Sequence, residues 1–171
     1  MRNSNKFARG KPARAHDARP SATISCTMSE FIDHVVRVRY AETDKMSIVY
    51  YANYFIYFEI GRVEYMRQRG LDYRRMEQED DSFTVVAEAK CRYRRPARFD
   101  DPLRIRTRVT SVKSRVITFG YEILHDETDE LLVTGETIHV VCNSKGRPKP
   151  LPEKYRQYFD WDKLSVKAGD S

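Results

Sequence analysis

Glycine is scarce in this chain, with 7 among 171 residues, and no cluster of them could form a loop that cradles nucleotide phosphates. P-loop and dinucleotide-fingerprint chemistry are therefore not expected. Cysteine is scarcer still. Cys26, Cys91 and Cys142 are odd in number and have no paired spacing, which argues against a disulfide framework and for reduced thiols in a cytoplasmic protein. The four histidines, His16, His34, His125 and His139, are isolated from one another. They give no ligand pattern, so neither a metal nor another cofactor is expected. No apolar run approaches the ~20 residues that span a bilayer. The N-terminus also lacks the apolar stretch of a secretory signal, and Gly10, Pro12 and Pro20 interrupt any amphipathic targeting helix there.

Charge is present in excess of one sign, at +6 overall, which raises the question of nucleic acid. Its distribution answers against that reading. Residues 1–27 hold six basic residues and one acid, and the rest of the chain is nearly balanced with 25 basic and 24 acidic residues. The basic character belongs to an N-terminal extension, expected to be disordered. Residues 28–160 are expected to form one domain, followed by a polar, peripheral tail at 161–171.

The pattern of that domain turns on residues 37–70. Val36, Val38 and Tyr40 alternate with Arg37 and Arg39, which reads as a first strand running to Tyr40. Asp44 then lies in a polar turn. From about Asn53, a candidate N-cap, a helix runs to about residue 69 and closes at Gly70. Tyr54, Phe55, Ile56, Tyr57, Phe58, Ile60, Val63, Tyr65 and Met66 cover most of its circumference, so burial on several sides is expected. Leu71–Asp81 is charged and reads as a solvated loop with at most another helical turn. From residue 83 the period becomes two, with Phe83, Val85, Ala87, Ala89, Cys91 and Tyr93 on one face. Leu103, Ile105, Thr107 and Val109 form the next inward row, then Ile117, Phe119, Tyr121 and Ile123, and Leu131–Asn143 is the last strand. Leu151–Ser171 is polar and is expected at the periphery. The order is β-α-β-β-β-β, an α+β fold in which a curved five-stranded antiparallel sheet wraps one long helix.

The stretch Asp44 to Ser47, Ile48-Val-Tyr-Tyr-Ala-Asn-Tyr54, Phe58-Glu59 and Gly61-Arg-Val-Glu-Tyr-Met-Arg67, with Cys91-Arg-Tyr-Arg-Arg-Pro-Ala-Arg-Phe-Asp-Asp101, resembles the hot-dog-fold acyl-CoA thioesterases. Within them it is most similar to the 4-hydroxybenzoyl-CoA and Tol-Pal-associated thioesterase branch. The resemblance covers about residues 32–160. It implies a thioester hydrolase with Asp44 as general base or nucleophile, and with the Tyr51 backbone N–H polarising the thioester carbonyl. Glu59 on the helix is the alternative carboxylate, because other hot-dog thioesterases carry the acid there; its structural reading is a buried acid held by hydrogen bonds or paired with Arg62. Tyr50, Asn53 and Tyr54, beside Tyr57, are candidates to line the acyl site, and Lys90, Arg92 and Arg94 to hold the phosphates of coenzyme A. The resemblance further implies a homodimer or homotetramer with active sites between subunits. One place departs from the family: Ser47 stands where a glycine is usual, so a positive φ there would be strained. The competing reading is a non-catalytic acyl-CoA-binding or nucleic-acid-binding protein.

Overall fold

The computed structural model describes residues 31–159, so the expectations for the basic extension and the 161–171 tail lie outside the described residues. Strand β1 (Ile32–Arg37) leads through a turn to helix α1 (Asn53–Gln68) and helix α2 (Tyr73–Asp80). Strands β2 (Phe83–Tyr93), β3 (Pro102–Val112), β4 (Val116–His125) and β5 (Leu131–Cys142) follow, then one turn of helix, α3 (Glu153–Arg156). The five strands form a single antiparallel sheet in the order β1-β3-β4-β5-β2. Hairpins place β3, β4 and β5 side by side. Strand β2 pairs with the last strand, leaving β1 and β2 as the edges.

The inward rows of β3 and β4 lie where alternation places them. Leu103, Ile105, Thr107, Val109, Ile117, Phe119, Tyr121 and Ile123 are all buried. Against them α1 presents Tyr54, Tyr57, Phe58, Tyr65 and Met66, and burying each large side chain contributes roughly 1.5–3 kcal/mol. Two glycines permit this closeness. A Cβ on Gly61 would stand 2.5 Å from Thr107 Oγ1, and one on Gly135 would collide with the Phe58 ring, which stacks on Tyr121. One sheet can cover only one side of a helix. Phe55 and Ile56 stay 36% and 43% exposed, so the burial expected on several sides is incomplete within one chain.

Four sequence expectations need correction. The first strand stops at Arg37, because Tyr40–Glu42 turns into a 3-10 helix held by the Glu42 carboxylate. The charged segment after Gly70 is a regular helix, α2: Asp72 caps it by accepting from Arg75 N–H, Arg75 pairs with Glu79, and Met76 is fully buried. In β2 the register shifts between Val86 and Glu88. A bulge reverses the faces on either side of it, so Thr84 and Val86 join Ala89, Cys91 and Tyr93 on the helix side, while Phe83 and Val85 face out. Finally, the segment after Leu151 is not all peripheral, since Leu151, Tyr155 and Phe159 complete the core.

Candidate active site

The turn that carries Asp44 is held by its own backbone and side-chain hydrogen bonds. Asp44 N–H donates to Ile48 C=O at 2.9 Å and its Oδ1 accepts from Met46 N–H at 2.7 Å, closing a tight turn. Ser47 completes the turn at φ 60°, so the strain foreseen at this position is real, about 1–2 kcal/mol for a side chain in the left-handed region. Among the described residues Asp44 Oδ2 has no partner, and the carboxylate is half-buried. The turn is pinned on its other flank by Val49 N–H donating to Ala97 C=O and by an Ile48–Arg98 bridge.

The group that ties this turn to the helix is Glu42, which pattern reading did not single out. It is 5% exposed. Its Oε2 accepts from the Tyr57 hydroxyl and Arg39 N–H, both at 2.8 Å, and its Oε1 from the Arg39 guanidinium at 2.7 Å. Its carbonyl accepts from Tyr50 N–H and from the Asn53 side chain. Burial alone would raise the Glu42 pKa, but these donors outweigh it and hold the value below the usual carboxylate range. An acid two residues before another acid carries no periodic signal, which is why only the tertiary contacts reveal it.

Asn53 is therefore not the N-cap. It is the first helical residue, Ala52 precedes it as cap, and its amide serves Glu42. The helix N-terminus is also less open than expected, because Asn53, Tyr54 and Phe55 N–H groups reach back to Tyr50, Tyr51 and Ala52 carbonyls. Among the described residues the Tyr51 N–H has no acceptor, so the one donor that the resemblance implied is among those left for a ligand. The Tyr51 carbonyl accepts from the Tyr93 hydroxyl at 3.1 Å, which joins the helix entrance to the end of β2.

The other candidates separate into groups. Tyr50 is exposed, against Tyr51 at 4.5 Å between ring centroids. Tyr54 and Tyr57 are buried, their hydroxyls engaged by Ala97 N–H and Glu42, so they support the site from behind. Glu59 is exposed, not buried, and no ion pair joins it to Arg62 among the described residues; it lines a cavity of about 300 Å³ between α1 and β2. Lys90 and Arg92 lie opposite Glu136 and Thr134 on the face of β2 turned away from α1, and Lys90 is paired with Glu88 at 3.0 Å. Arg94 lies past the end of that strand. Within one protomer the basic row and Asp44 are not brought to the same side of the sheet. Among the described residues no group of His, Cys, Asp and Glu could hold a metal ion.

A long helix on a curved antiparallel sheet, with an acid-bearing turn at the helix entrance, defines a hot-dog domain. The chain belongs to the thioesterase-like superfamily, whose family model matches residues 38–159. It is 35% identical over 120 residues to the acyl-CoA thioester hydrolase YbgC of Escherichia coli O6:H1, covering 69% of this chain and 87% of that protein. The structure of a DHNA-CoA thioesterase from Staphylococcus aureus superposes with a TM-score of 0.69 at 27% identity, covering 81% of this chain and 90% of that one. A 4-hydroxybenzoyl-CoA thioesterase bound to its substrate shares the fold, with a TM-score of 0.70 at 19% identity over 77% of this chain and all of the other.

Proposed function

We propose that the protein hydrolyses an acyl-CoA thioester to coenzyme A and a carboxylic acid. The observation that carries this reading is the turn leading into α1, which holds the Asp44 carboxylate with one free oxygen and ends at a Tyr51 N–H that has no acceptor among the described residues. Thioester hydrolysis needs both groups, a base or nucleophile and a donor for the oxyanion. In the general-base route Asp44 takes a proton from water as the water oxygen attacks the carbonyl carbon. The oxyanion forms at the Tyr51 N–H, the C–S bond breaks, and the leaving thiolate recovers the proton. In the nucleophilic route Asp44 itself attacks and expels the thiolate, and water then opens the mixed anhydride. Single-turnover hydrolysis in heavy-oxygen water tests for the second route: water that opens the anhydride at the aspartyl carbon leaves heavy oxygen in Asp44 and an unlabelled Asp44 oxygen in the product acid, whereas the general-base route puts the heavy oxygen in the product alone.

Tyr50 would face the substrate, with Asn53 and Tyr54 holding the wall behind it, and Lys90, Arg92 and Arg94 would receive the coenzyme A phosphates. These cations lie across β2 from Asp44, which favours a site completed by a second copy. The uncovered apolar side chains point the same way. Phe55, Ile56, Val85, Val86 and Tyr93 lie exposed on α1 and edge strand β2, and soluble proteins pair or cover such edges. Two-fold pairing of β2 with its copy would form a homodimer, or half of a homotetramer, with coenzyme A held between subunits. A nucleic-acid partner is disfavoured because Arg104 and Arg106 on the outer sheet face are paired with Asp33, Asp126 and Glu122. Among the described residues no helix is long and apolar enough to cross a membrane. The free thiols Cys91 and Cys142 suit the cytoplasm. Release of free thiol from a panel of acyl-CoA esters tests the activity; no release from any ester, with coenzyme A still bound, would favour the binding-protein reading.

A further inference from the structure

The cavity between α1 and the sheet mixes apolar and polar walls. Phe55, Ile56, Phe58, Val86 and Ala89 make most of its wall apolar. Glu59 and Arg62, later on the helix, and Tyr121, Thr137 and His139 on β4 and β5 add polar groups, His139 standing opposite Val86 and Thr137 opposite Ala89. Tyr121, Thr137 and His139 form a buried relay: the Tyr121 hydroxyl and Thr137 Oγ1 are 2.7 Å apart, and Thr137 Oγ1 and His139 Nε2 are 2.8 Å apart. His139 is 1% exposed, and its buried Nδ1 has no partner among the described residues. A relay that ends in an unmatched polar atom beside a cation is costly in an apolar wall. No carboxylate forms an ion pair with Arg62 among the described residues, and its positive charge, lining the same cavity, opposes a charge on His139.

Resting on the thioesterase reading, we infer that this cavity takes the acyl group and selects chains that carry an oxygen at the far end, a hydroxyl or a carboxylate held by Arg62 and the Thr137 relay. The dimensions fit such a chain. Phe55 follows Tyr51 by about one helical turn, and Arg62 lies about 10 Å farther along the axis. A volume of about 300 Å³ is the space of about ten water molecules at ~30 Å³ each, or an acyl group of similar heavy-atom count. A plain alkyl chain would leave Arg62 and the relay stripped of water without a partner. An oxygenated end would give them one. The charges facing Arg62 are few: Glu59 lies three residues before it on the same helix, and the relay on β4 and β5 is neutral, with burial first and then Arg62 lowering the His139 pKa to about 3.

The test compares octanoyl-CoA with its ω-hydroxy derivative and with the coenzyme A monoester of the matching dicarboxylic acid. We expect kcat/KM for at least one oxygenated substrate to exceed that for the plain chain by about ten- to hundred-fold, the worth of a hydrogen bond to a charged group. A preference that survived removal of either the Arg62 guanidinium or the Thr137 hydroxyl would overturn the assignment. Arg62→Met and, separately, Thr137→Val should bring that ratio close to one, while thermal melts report whether each variant folds. Equal or better turnover of the plain chain would overturn the inference while leaving the thioesterase reading intact. If no ester is cleaved, binding decides. The free ω-hydroxy and dicarboxylic acids should shift the His139 imidazole NMR signals in the wild type but not in Arg62→Met, and the absence of any shift would overturn the assignment.

Discussion

Asp44 is held by one backbone donor on Oδ1, so replacing it with Asn keeps the turn and removes the acid–base or nucleophilic oxygen. Asp44→Asn is therefore expected to fold as the wild type and to lose at least ~10²-fold in kcat. Glu59→Gln, one helix face away, should be the milder change. The reverse ranking in a thiol-release assay would move the chemistry to the helix acid. At Ser47 the strain of φ 60° is relieved by glycine, against a gain in unfolded-state entropy of ~0.5–1 kcal/mol. Ser47→Gly should raise stability by up to about 1 kcal/mol in urea titrations, and a loss of stability would mean that the serine side chain makes a contact the turn depends on. Acid should act through two buried groups. Folded His139 titrates near 3 against 6.5 for the free side chain, so below about pH 6.5 the unfolded chain binds a proton that the folded one refuses. Its contribution is complete above that value and is lost as pH falls, at up to about 1.4 kcal/mol per pH unit. Glu42, held below its ordinary value, extends the loss once pH drops under about 4.3. His139→Gln should flatten the upper part of this profile in denaturant midpoints measured across the range; an unchanged profile would assign the acid sensitivity elsewhere.

At the scale of elements, α1 touches the sheet closely only because Gly61 faces Ile105 and Thr107 on β3, and Gly135 faces Phe58. Gly61→Ala gains helix propensity of about 1 kcal/mol, yet its methyl needs space that two buried β3 side chains occupy. Overpacking of this kind costs about 1–3 kcal/mol, so a net loss is expected in thermal denaturation. A gain would show that the helix can lift from the sheet freely. Strand β2 is the element whose behaviour alternation describes only in part. From Ala89 to Tyr93 the helix-facing row is the one the period predicts, and before the bulge it is the opposite row, because one extra residue shifts every side chain to the other face.

The whole molecule, taken as a single chain, leaves Phe55, Ile56, Val86 and Tyr93 exposed around the entrance to the proposed site. A second copy covering them would place Lys90 to Arg94 of one protomer across from Asp44 of the other. Sedimentation is expected to give at least a dimer, and dilution below its dissociation constant should reduce specific activity together with mass. Full thioesterase activity in a sedimenting monomer would rule the shared site out. Introducing charge on the β2 edge, as in Val85→Lys, should weaken association while a monomeric fold remains measurable by circular dichroism.

Local pattern by itself determined the order of α1 and the five strands, the inward rows of β3 and β4, and the extent of α1 to within a residue or two, because periods of two and of 3.6 residues are written in neighbouring side chains. Resemblance at Asp44 to Tyr54 added the fold and the candidate acid. Tertiary structure decided what depends on partners far apart in the chain. Glu42 became the anchor of the turn only when Tyr57 and Arg39 reached it, and Asn53 left the cap position to serve the Glu42 carbonyl. The bulge in β2 follows from pairing with β5, some fifty residues on, and Leu151, Tyr155 and Phe159 entered the core because the sheet left room for them. The relay of Tyr121, Thr137 and His139 spans two strands and meets Arg62 from the helix. No local period records such a meeting, because the side chains that make it are chosen by how the sheet folds over the helix.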